Sequence, residues 1–197
     1  MGKWFPKLYD LVMNPLEKYK FKKIRRQLLS KAEGRVLEIG SGTGVNFPFY
    51  QHADQVDAIE PNPLMSKRSG KKVKKSKANI QTYIVGAESL PFADNTFDTV
   101  VATLVFCTIP EPQQALKEIL RVSKPGANIL FFEHVMLKQP FLAKAQDILT
   151  PFWKKICDGC HLNRDTLGLI KMFDFTIEDV HEYYKGLFLT ITCLNNK

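Results

Sequence analysis

A glycine-rich turn directly after a short apolar run is the part of this chain with the most evident chemistry. Glycine stands at every second position of the turn, at Gly40, Gly42 and Gly44. Glycine adopts φ > 0 readily and has no Cβ, so a ligand can lie against main-chain N–H groups there. Glu38, just before the turn, can accept a hydrogen bond from a cationic amino group and would repel a pyrophosphate. The turn therefore favours a ligand that carries an ammonium group.

An acid at the end of the next predicted strand narrows the kind of ligand. Glu60 ends the following predicted strand, sixteen residues after Gly44. Its carboxylate can accept two hydrogen bonds from the 2′- and 3′-hydroxyls of a ribose. The dinucleotide pattern G-x-G-x-x-G would need its third glycine where this chain has Val45. Turn and acid together predict an S-adenosylmethionine (SAM) site and disfavour NAD.

Alternating strands and helices must position the turn and the acid. Strands are predicted over 36–39, 56–60, 80–85, 97–104 and 127–133. Helices are predicted over 46–50, over a Lys-rich segment before the third strand, and over 112–121, with Pro125-Gly126 marking the end of the last. This alternation predicts a parallel sheet. A helical stretch over 142–157 then leads to two strands, 175–180 and 187–194, which are expected to pair antiparallel.

The N-terminal region is predicted to be helical and amphipathic. Residues 6–31 carry apolar side chains at helical spacing, with an interruption at Asn14-Pro15. The chain is expected to form a single domain, 1–197. Within it we expect lid or membrane-facing helices over 1–31, a cofactor-binding core over 35–132, and an acceptor-side segment with the final strand pair over 133–197.

Length and hydropathy exclude several classes of protein. The chain has 197 residues, of which 45% are hydrophobic and 24% charged, as in ordinary globular proteins. Its longest apolar stretch, 99–109, is too short to cross a bilayer, and the N-terminus lacks the pattern of a secretory signal. We therefore expect a cytoplasmic protein whose cysteines are reduced thiols.

The net charge of +8 is unevenly distributed. Its densest run lies between the second and third predicted strands, at Lys67, Arg68, Lys71, Lys72, Lys74, Lys75 and Lys77. A solvated helix face is the first explanation, and peripheral contact with the anionic inner face of a membrane is the second. Nucleic acid is not favoured, because no aromatic side chain is interleaved in the run.

Several segments together resemble the class I SAM-dependent methyltransferases. They are 38–44, Glu60, 87–92, 97–98 and 125–126. The resemblance implies a Rossmann-like α/β fold, with helices on both faces of a seven-stranded, mostly parallel sheet of order 3-2-1-4-5-7-6 whose last strand is antiparallel. It also implies SAM as the cofactor and S-adenosyl-L-homocysteine as its product.

The same resemblance implies a set of site residues. In this family the turn glycines contact the methionine part, the acid after the second strand holds the ribose, and an Ala-Glu-x-Leu-Pro-Phe segment flanks the adenine. The cofactor-binding residues implied here are Glu38, Gly40, Ser41, Gly42, Gly44, Asn46, Glu60, Asn62, Ala87, Glu88, Thr103 and Leu104. Many relatives carry Asp before that alanine, where this chain has Gly86, so Glu88 or water is expected to substitute at the adenine.

A narrower resemblance indicates the class of acceptor. Segments 44–47, 60–63, 103–107, 133–135 and 158–162 are similar to a methyltransferase-like branch. That branch includes membrane-associated alkyl thiol methyltransferases and bacterial phosphatidylethanolamine N-methyltransferases. The implied acceptor is a small hydrophobic molecule, either a thiol or a phospholipid amine.

Candidate catalytic residues follow from what methyl transfer requires. An in-line displacement needs alignment and a desolvated pocket, and a dedicated base is optional. A thiol is partly ionised near neutral pH, whereas a protonated amine must first lose a proton. His134, after the fifth predicted strand, is the candidate base, and a hydrogen bond at the strand end is its alternative role. Asp158 and His161 are further candidates, with capping as the alternative.

Other functions stay open at this level. RNA methylation is compatible with the charge, although the chain has no Asn-Pro-Pro-Tyr/Phe tetrapeptide after the fourth predicted strand. A non-catalytic SAM-binding or membrane-docking protein would need the same turn and acid. A zinc site around Cys157-Asp158-Gly159-Cys160-His161 would need a fourth ligand, such as His52 or His181, that the spacing does not supply. No metal is therefore predicted.

Overall fold

A computed structural model describes residues 20–197 of the chain. Their strands form a seven-stranded sheet of order β3-β2-β1-β4-β5-β7-β6. The strands are β1 Glu33–Ile39, β2 His52–Ile59, β3 Asn79–Tyr83, β4 Phe97–Thr103, β5 Ser123–His134, β6 Phe175–Tyr183 and β7 Phe188–Asn195. Neighbouring strands run parallel, except that β7 is antiparallel to both β5 and β6. The predicted strand order and antiparallel last strand are confirmed.

Helices flank both faces of this sheet. They are α1 Lys22–Leu29, α2 Pro63–Val73, α3 Pro112–Val122, α4 Pro140–Ile156 and α5 Thr166–Ile170. Successive side chains of a strand point to opposite faces, so Val100 and Val101 of β4 enter two different apolar clusters. Residues of α3 and α5 pack in the first cluster, and those of α1 in the second. The Rossmann-like α/β class is confirmed.

Apolar spacing explains how α3 attaches to the sheet. Ala115, Leu116, Ile119 and Val122 recur on one side of the helix, and all four are buried. Pro112 begins the helix, where its missing N–H is not needed. Each fully buried Leu or Ile stabilises the packing by roughly 1.5–3 kcal/mol. The helix therefore holds the loop that precedes it firmly at the end of β4.

The structure corrects the predicted helix after β1. The chain there forms only a 3-10 turn, Phe47–Phe49, and leaves it at Tyr50 with an extended backbone. Pro48 lies in the first turn, where a missing N–H is tolerated, so the element ends because Tyr50 takes an extended backbone, from which its hydroxyl donates to Glu38 Oε2. The chain therefore turns directly from the glycines into β2.

Two further predictions about element ends are wrong. Helix α2 ends at Val73, so Lys74, Lys75 and Lys77 follow the helix instead of extending it. Like charges four residues apart destabilise a helix only slightly and occur inside α2 as well, at Lys67 and Lys71, so the helix ends because the chain must turn to enter β3 at Asn79. Pro125-Gly126 does not precede β5 but interrupts its register with β4 as a bulge inside the strand.

Part of the predicted N-terminal helical region falls outside the described residues, since the structure begins at residue 20. The described part confirms a helix: Phe21, Ile24, Leu28 and Leu29 are buried against the sheet. Over residues 20–197, no helix combines the length and the hydropathy that crossing a bilayer requires.

Candidate active site

A cavity of about 450 Å³ opens at the carboxyl ends of the parallel strands. Its wall is formed by the ends of β1 and β4 and by the segments that follow β1, β2, β3 and β4, together with Arg25 of α1, Asp158 and Gly159. Ligands of open α/β sheets bind at this edge, where neighbouring strand ends leave a crevice. The volume lies within the range of roughly 300–1,000 Å³ that is typical of small-molecule and cofactor pockets.

The turn after β1 forms one wall of the cavity at very close range. Gly40 has a φ of 63°, and a Cβ built on it would overlap the side chain of Val105. Gly42 has a φ of 55°, and its N–H donates a hydrogen bond of 3.0 Å to Glu60 Oε2. Ser41 is buried and its N–H donates to Ile59 O at 2.9 Å. The glycines thus keep backbone, and not side chains, at the cavity wall.

Glu60 is fixed by the backbone on both of its oxygens. Oε2 accepts from the Gly42 N–H, and Oε1 accepts from the Asn62 N–H at 2.8 Å. The Asn62 side chain caps α2 by accepting from Leu64 N at 3.0 Å. Burial raises the pKa of Glu60, while the two backbone hydrogen bonds act to lower it. A carboxylate oxygen has two lone pairs, so each oxygen can accept a further bond from a ligand.

Beneath the turn, a buried polar network surrounds Glu38. Its Oε1 accepts from Asn46 Nδ2 at 3.0 Å and its Oε2 accepts from Tyr50 OH at 2.9 Å. Arg25 donates to Asn46 Oδ1 at 2.8 Å and to Thr103 Oγ1 at 2.7 Å. Desolvation raises the pKa of Glu38 to about 7, against the lowering effect of these hydrogen bonds and of the Arg25 charge.

Arg25 and Tyr50 are absent from the set of site residues that the sequence predicts. Arg25 is 3% exposed and lies on α1 with Leu28 and Leu29 one turn further on, so it shares the apolar side of the helix. An arginine on the buried side of an amphipathic helix is the signal that could have revealed it. Its guanidinium carbon also lies 5.5 Å from the ring centre of Phe132.

At the adenine side of the predicted site, Gly86 and Glu88 line the cavity, whereas Ala87 is buried in an apolar cluster. A Cβ built on Gly86 would lie 2.7 Å from Glu88 Oε2. The Glu88 carboxylate therefore occupies the space beside residue 86. Leu104, directly after β4, also lines the cavity and has a φ of 54°, a conformation that costs a non-glycine residue about 1–2 kcal/mol.

The structure separates the three predicted catalytic residues. Asp158 lines the cavity. His134, at the end of β5, has its Nε2 atom 3.1 Å from Cys160 Sγ. Neither His134 nor His161 is among the residues that line the cavity. The His161 N–H donates to Cys107 O at 2.8 Å. Only Asp158 of the three is therefore placed to meet a ligand in this cavity.

Glu133 holds the loop that follows β4. Its Oε1 accepts from Val105 N at 3.0 Å and Phe106 N at 3.2 Å. Burial raises the pKa of Glu133 to about 7. Its Oε2 and the neighbouring His134 Nδ1 are buried without a hydrogen-bond partner in the part of the chain that the structure describes. Hydrogen bonds from Cys107 and His134 lower the pKa of the Cys160 thiol to about 5.

Comparison with known proteins gives matches along most of the chain. Residues 37–131 match the family described as "Methyltransferase domain". Thiol S-methyltransferase TMT1B of Rattus norvegicus is 35% identical over 194 residues, covering 89% of this chain and 80% of that protein. A phosphatidylethanolamine N-methyltransferase of Cereibacter sphaeroides is 34% identical over 121 residues, covering 60% of each. A SAM-dependent methyltransferase structure from Thermotoga maritima, 20% identical, has a TM-score of 0.69 and covers 97% of both chains; this last match shows the same fold.

Proposed function

The chain belongs to the SAM-dependent methyltransferases, and from this premise we propose that it transfers the methyl group to the sulfur of a small lipophilic thiol. The observation that carries the proposal is the mixed lining of one cavity. Glu38 and Glu60 line it together with the apolar side chains of Val105 and Ile109. A relative 35% identical over 194 residues is named a thiol S-methyltransferase, which supports sulfur as the acceptor atom.

The residues of the cavity fit SAM. When bound, this cofactor supplies a methyl carbon attached to a sulfonium sulfur. Glu60 would accept from the ribose hydroxyls through the lone pairs that its backbone bonds leave over. Arg25 and Glu38 bring opposite charges to the same cavity, which suits the carboxylate and ammonium groups of an amino acid. Glu88 would accept from the adenine amino group.

The other predicted cofactor residues act through position. Gly40 and Gly42 keep Cβ atoms away from the cavity wall, and Gly44 leaves room for the Phe47 ring beneath the turn. The main chain of Ser41 anchors the turn to β2. Asn46 and Thr103 hold Arg25 in the network with Glu38. These contacts orient a ligand without moving a proton.

The acceptor side needs little acid–base help for a thiol. A thiol with a pKa of about 8.5 is partly ionised at neutral pH. Asp158 lines the cavity and is the group that we assign to receive the proton of an acceptor. His134 and His161 contact the Cys107 and Cys160 segments, and we assign them a structural role.

Helix α4 supports a lipophilic acceptor and peripheral membrane contact. Its buried positions are polar: Gln146 accepts from Leu137 N at 2.8 Å and donates to Leu162 O at 2.9 Å, and Thr150 donates to Gln146 O. Its exposed side chains are largely apolar, and they include Phe141, Leu142, Ile148, Leu149, Phe152, Trp153 and Ile156. This reverses the usual orientation of a surface helix.

We infer that the apolar side of α4 rests on an anionic membrane, with the rest of the protein in the cytoplasm. Lys144, Lys154 and Lys155 lie on the same helix and are exposed, so acidic headgroups would add to the attraction. Asp158 and Gly159, just beyond the end of α4, line the cavity. An acceptor dissolved in the membrane would thus reach the site beside this helix.

Transfer of labelled methyl from SAM tests the proposal. The full chain is assayed in parallel on a short alkyl thiol and on phosphatidylethanolamine vesicles, with Glu60→Ala as the control that should lose labelling of either acceptor. Label on the thiol is the expected result.

A phospholipid amine is the second candidate acceptor. It is favoured by the apolar side of α4 and by the similarity to a phosphatidylethanolamine N-methyltransferase. Label on the lipid alone would replace the thiol proposal, and Asp158→Asn should then lower transfer more strongly, because an ammonium must lose its proton before it reacts.

A further inference from the structure

Two cysteines and a histidine from three separate segments meet next to the cavity. Cys107 follows β4, His134 ends β5 and Cys160 follows α4. One ligand atom from each lies within 4.8 Å of the others. Their chain neighbours Thr108 and Gly159 line the cavity. We propose that Cys107, His134 and Cys160 bind a zinc ion.

The chemistry of the cluster suits zinc. Thiolate sulfur and imidazole nitrogen are the donors that Zn²⁺ prefers. With Zn–S distances of about 2.3 Å, the ligand atoms of a tetrahedral site lie about 3.8 Å apart. The three ligand atoms lie within 4.8 Å of one another, so side-chain shifts of about 1 Å would bring them to these distances around an ion. Three protein ligands leave the fourth position to water or another small ligand.

The surroundings of the cluster also favour a cation. Cys107 is 3% exposed and Cys160 is 7% exposed, so an ion there would be shielded from solvent. Glu133 brings a buried carboxylate oxygen, Oε2, that has no hydrogen-bond partner among residues 20–197. A buried carboxylate oxygen without a partner is costly, and a nearby divalent ion would offset that cost. Arg164 is the opposing cation, and its guanidinium is held by Phe106 O and Ile109 O.

Spacing along the chain explains why the sequence predicts no metal. In a sequence, a zinc site is recognised by ligands that lie a few residues apart, and the segment 157–161 does not supply four of them. The cluster instead combines residues 26 positions apart, His134 and Cys160, with Cys107 from a third segment. Its ligands assemble only when the ends of β4 and β5 lie side by side.

A metal at this place would tie the acceptor-side segment to the sheet. Without it, that segment is joined to the β4 loop by the bond from His161 N to Cys107 O, 2.8 Å, and by the Arg164 contacts. Asp158 and Gly159 belong to the same segment and line the cavity. The ion would therefore fix the cavity wall on the acceptor side, whatever the acceptor is.

The metal content of the full chain tests this site. Protein produced with added zinc and purified under reducing conditions, without chelator, should contain about one zinc per chain by mass spectrometry. Cys160→Ser should lower that content at least tenfold. Cys157→Ser is the matched control, because Cys157 lies three positions earlier in the same segment and outside the cluster; it should keep the metal.

Cobalt substitution adds a readout that does not depend on activity. Cobalt-loaded wild type and Cys157→Ser should show thiolate-to-metal charge-transfer absorption, and Cys160→Ser should lack it. If Cys160→Ser does not fold, the wild type is stripped with chelator under reduction and zinc is added back. At about one hundred times its Kd, zinc should raise Tm by roughly 5–10 °C.

Three results would overturn the proposal. The first is stripped, folded wild type that takes up no zinc and shows no change in Tm. The second is Cys160→Ser that retains the metal of the wild type. The third is a metal-free protein in which Cys107 and Cys160 form a disulfide under the same conditions, because the two sulfurs would then be unavailable as ligands.

Discussion

The two sides of the cavity are built by contacts of different range along the chain. On the cofactor side, Glu38 bonds to Asn46 eight residues away, and Glu60 bonds to Asn62 and to Gly42 at separations of two and 18 residues. On the acceptor side, His134 meets Cys160 across 26 residues, and Arg164 meets Phe106 across 58. The turn and the two acids of the first side lie within 25 residues of one another, and Arg25 and Thr103 join that side from outside this stretch. The second side depends throughout on the assembled sheet.

Gly40 of the turn packs against Val105, in the loop that Glu133 holds. A substitution of Gly40 should have the largest effect on stability. Gly40→Ala would place a Cβ on the side chain of Val105 at a φ of 63°. We expect a loss of about 3 kcal/mol in the free energy of unfolding, from overpacking and from the left-handed backbone together. Denaturant titration of both proteins measures it.

Gly126 provides the matched control, since its φ is 72° and a Cβ on it would meet nothing within 4 Å. Gly126→Ala should cost only about 1–2 kcal/mol, the backbone contribution alone. In a Gly40→Ala background, Val105→Ala should recover part of the loss. Equal losses for the two alanine variants would show that the close approach at Gly40 has no energetic weight.

Glu60→Gln should give the next largest effect, a SAM affinity about 100-fold weaker. The substitution turns one acceptor oxygen into a donor, which faces the N–H group of Gly42 or Asn62 and the ribose hydroxyls, and charge-assisted hydrogen bonds contribute roughly 1.5–3 kcal/mol each. Calorimetric titration with SAM measures the change. Glu178 is an exposed residue of β6, and the control variant Glu178→Gln should bind SAM with the affinity of the wild type. A Glu60→Gln affinity within threefold of wild type would contradict the role assigned to Glu60.

This difference in range also decides what could be predicted from the sequence. The turn glycines and Glu60 could be recognised because their residue types and spacing stand together in one short stretch of sequence. The sheet order followed from a family resemblance that rests on the same segments. Arg25 could not be recognised in this way, because its partner Thr103 lies 78 residues further along.

The acceptor side shows more clearly which features do not follow from the sequence. A helix over 142–157 is predicted and α4 is observed, but which side of it packs inward does not follow from its composition. Gln146 faces inward because the main-chain groups of Leu137 and Leu162 lie there to bond it, and those positions depend on the fold. The meeting of Cys107 with Cys160 depends on the fold in the same way.

A pair of equally exposed isoleucines tests whether membrane contact belongs to the acceptor side. Ile148 on α4 is 62% exposed, and Ile84, after β3, is 59% exposed. Ile148→Ser should weaken binding to anionic phosphatidylserine vesicles about tenfold, the loss of roughly 1.5 kcal/mol of apolar burial in the membrane. Ile84→Ser should change it less than twofold. Co-sedimentation with the vesicles measures the binding. Equal effects of the two substitutions would show that α4 does not contact the membrane.

The smallest predicted effect is a pH dependence on the cofactor side. The pKa of Glu38 is raised to about 7, chiefly by desolvation, so its ionised fraction increases about fivefold between pH 6 and pH 7. The ammonium group of the cofactor stays protonated in this range and favours the ionised carboxylate, so the affinity for SAM should increase by about that factor as pH rises. Glu60 also has a raised pKa and shares the cavity, so its titration acts in the same direction. The contribution of Glu38 is therefore the difference in slope between wild type and Glu38→Gln, measured as the Kd at each pH. Equal slopes would mean that Glu38 does not interact with the ammonium group.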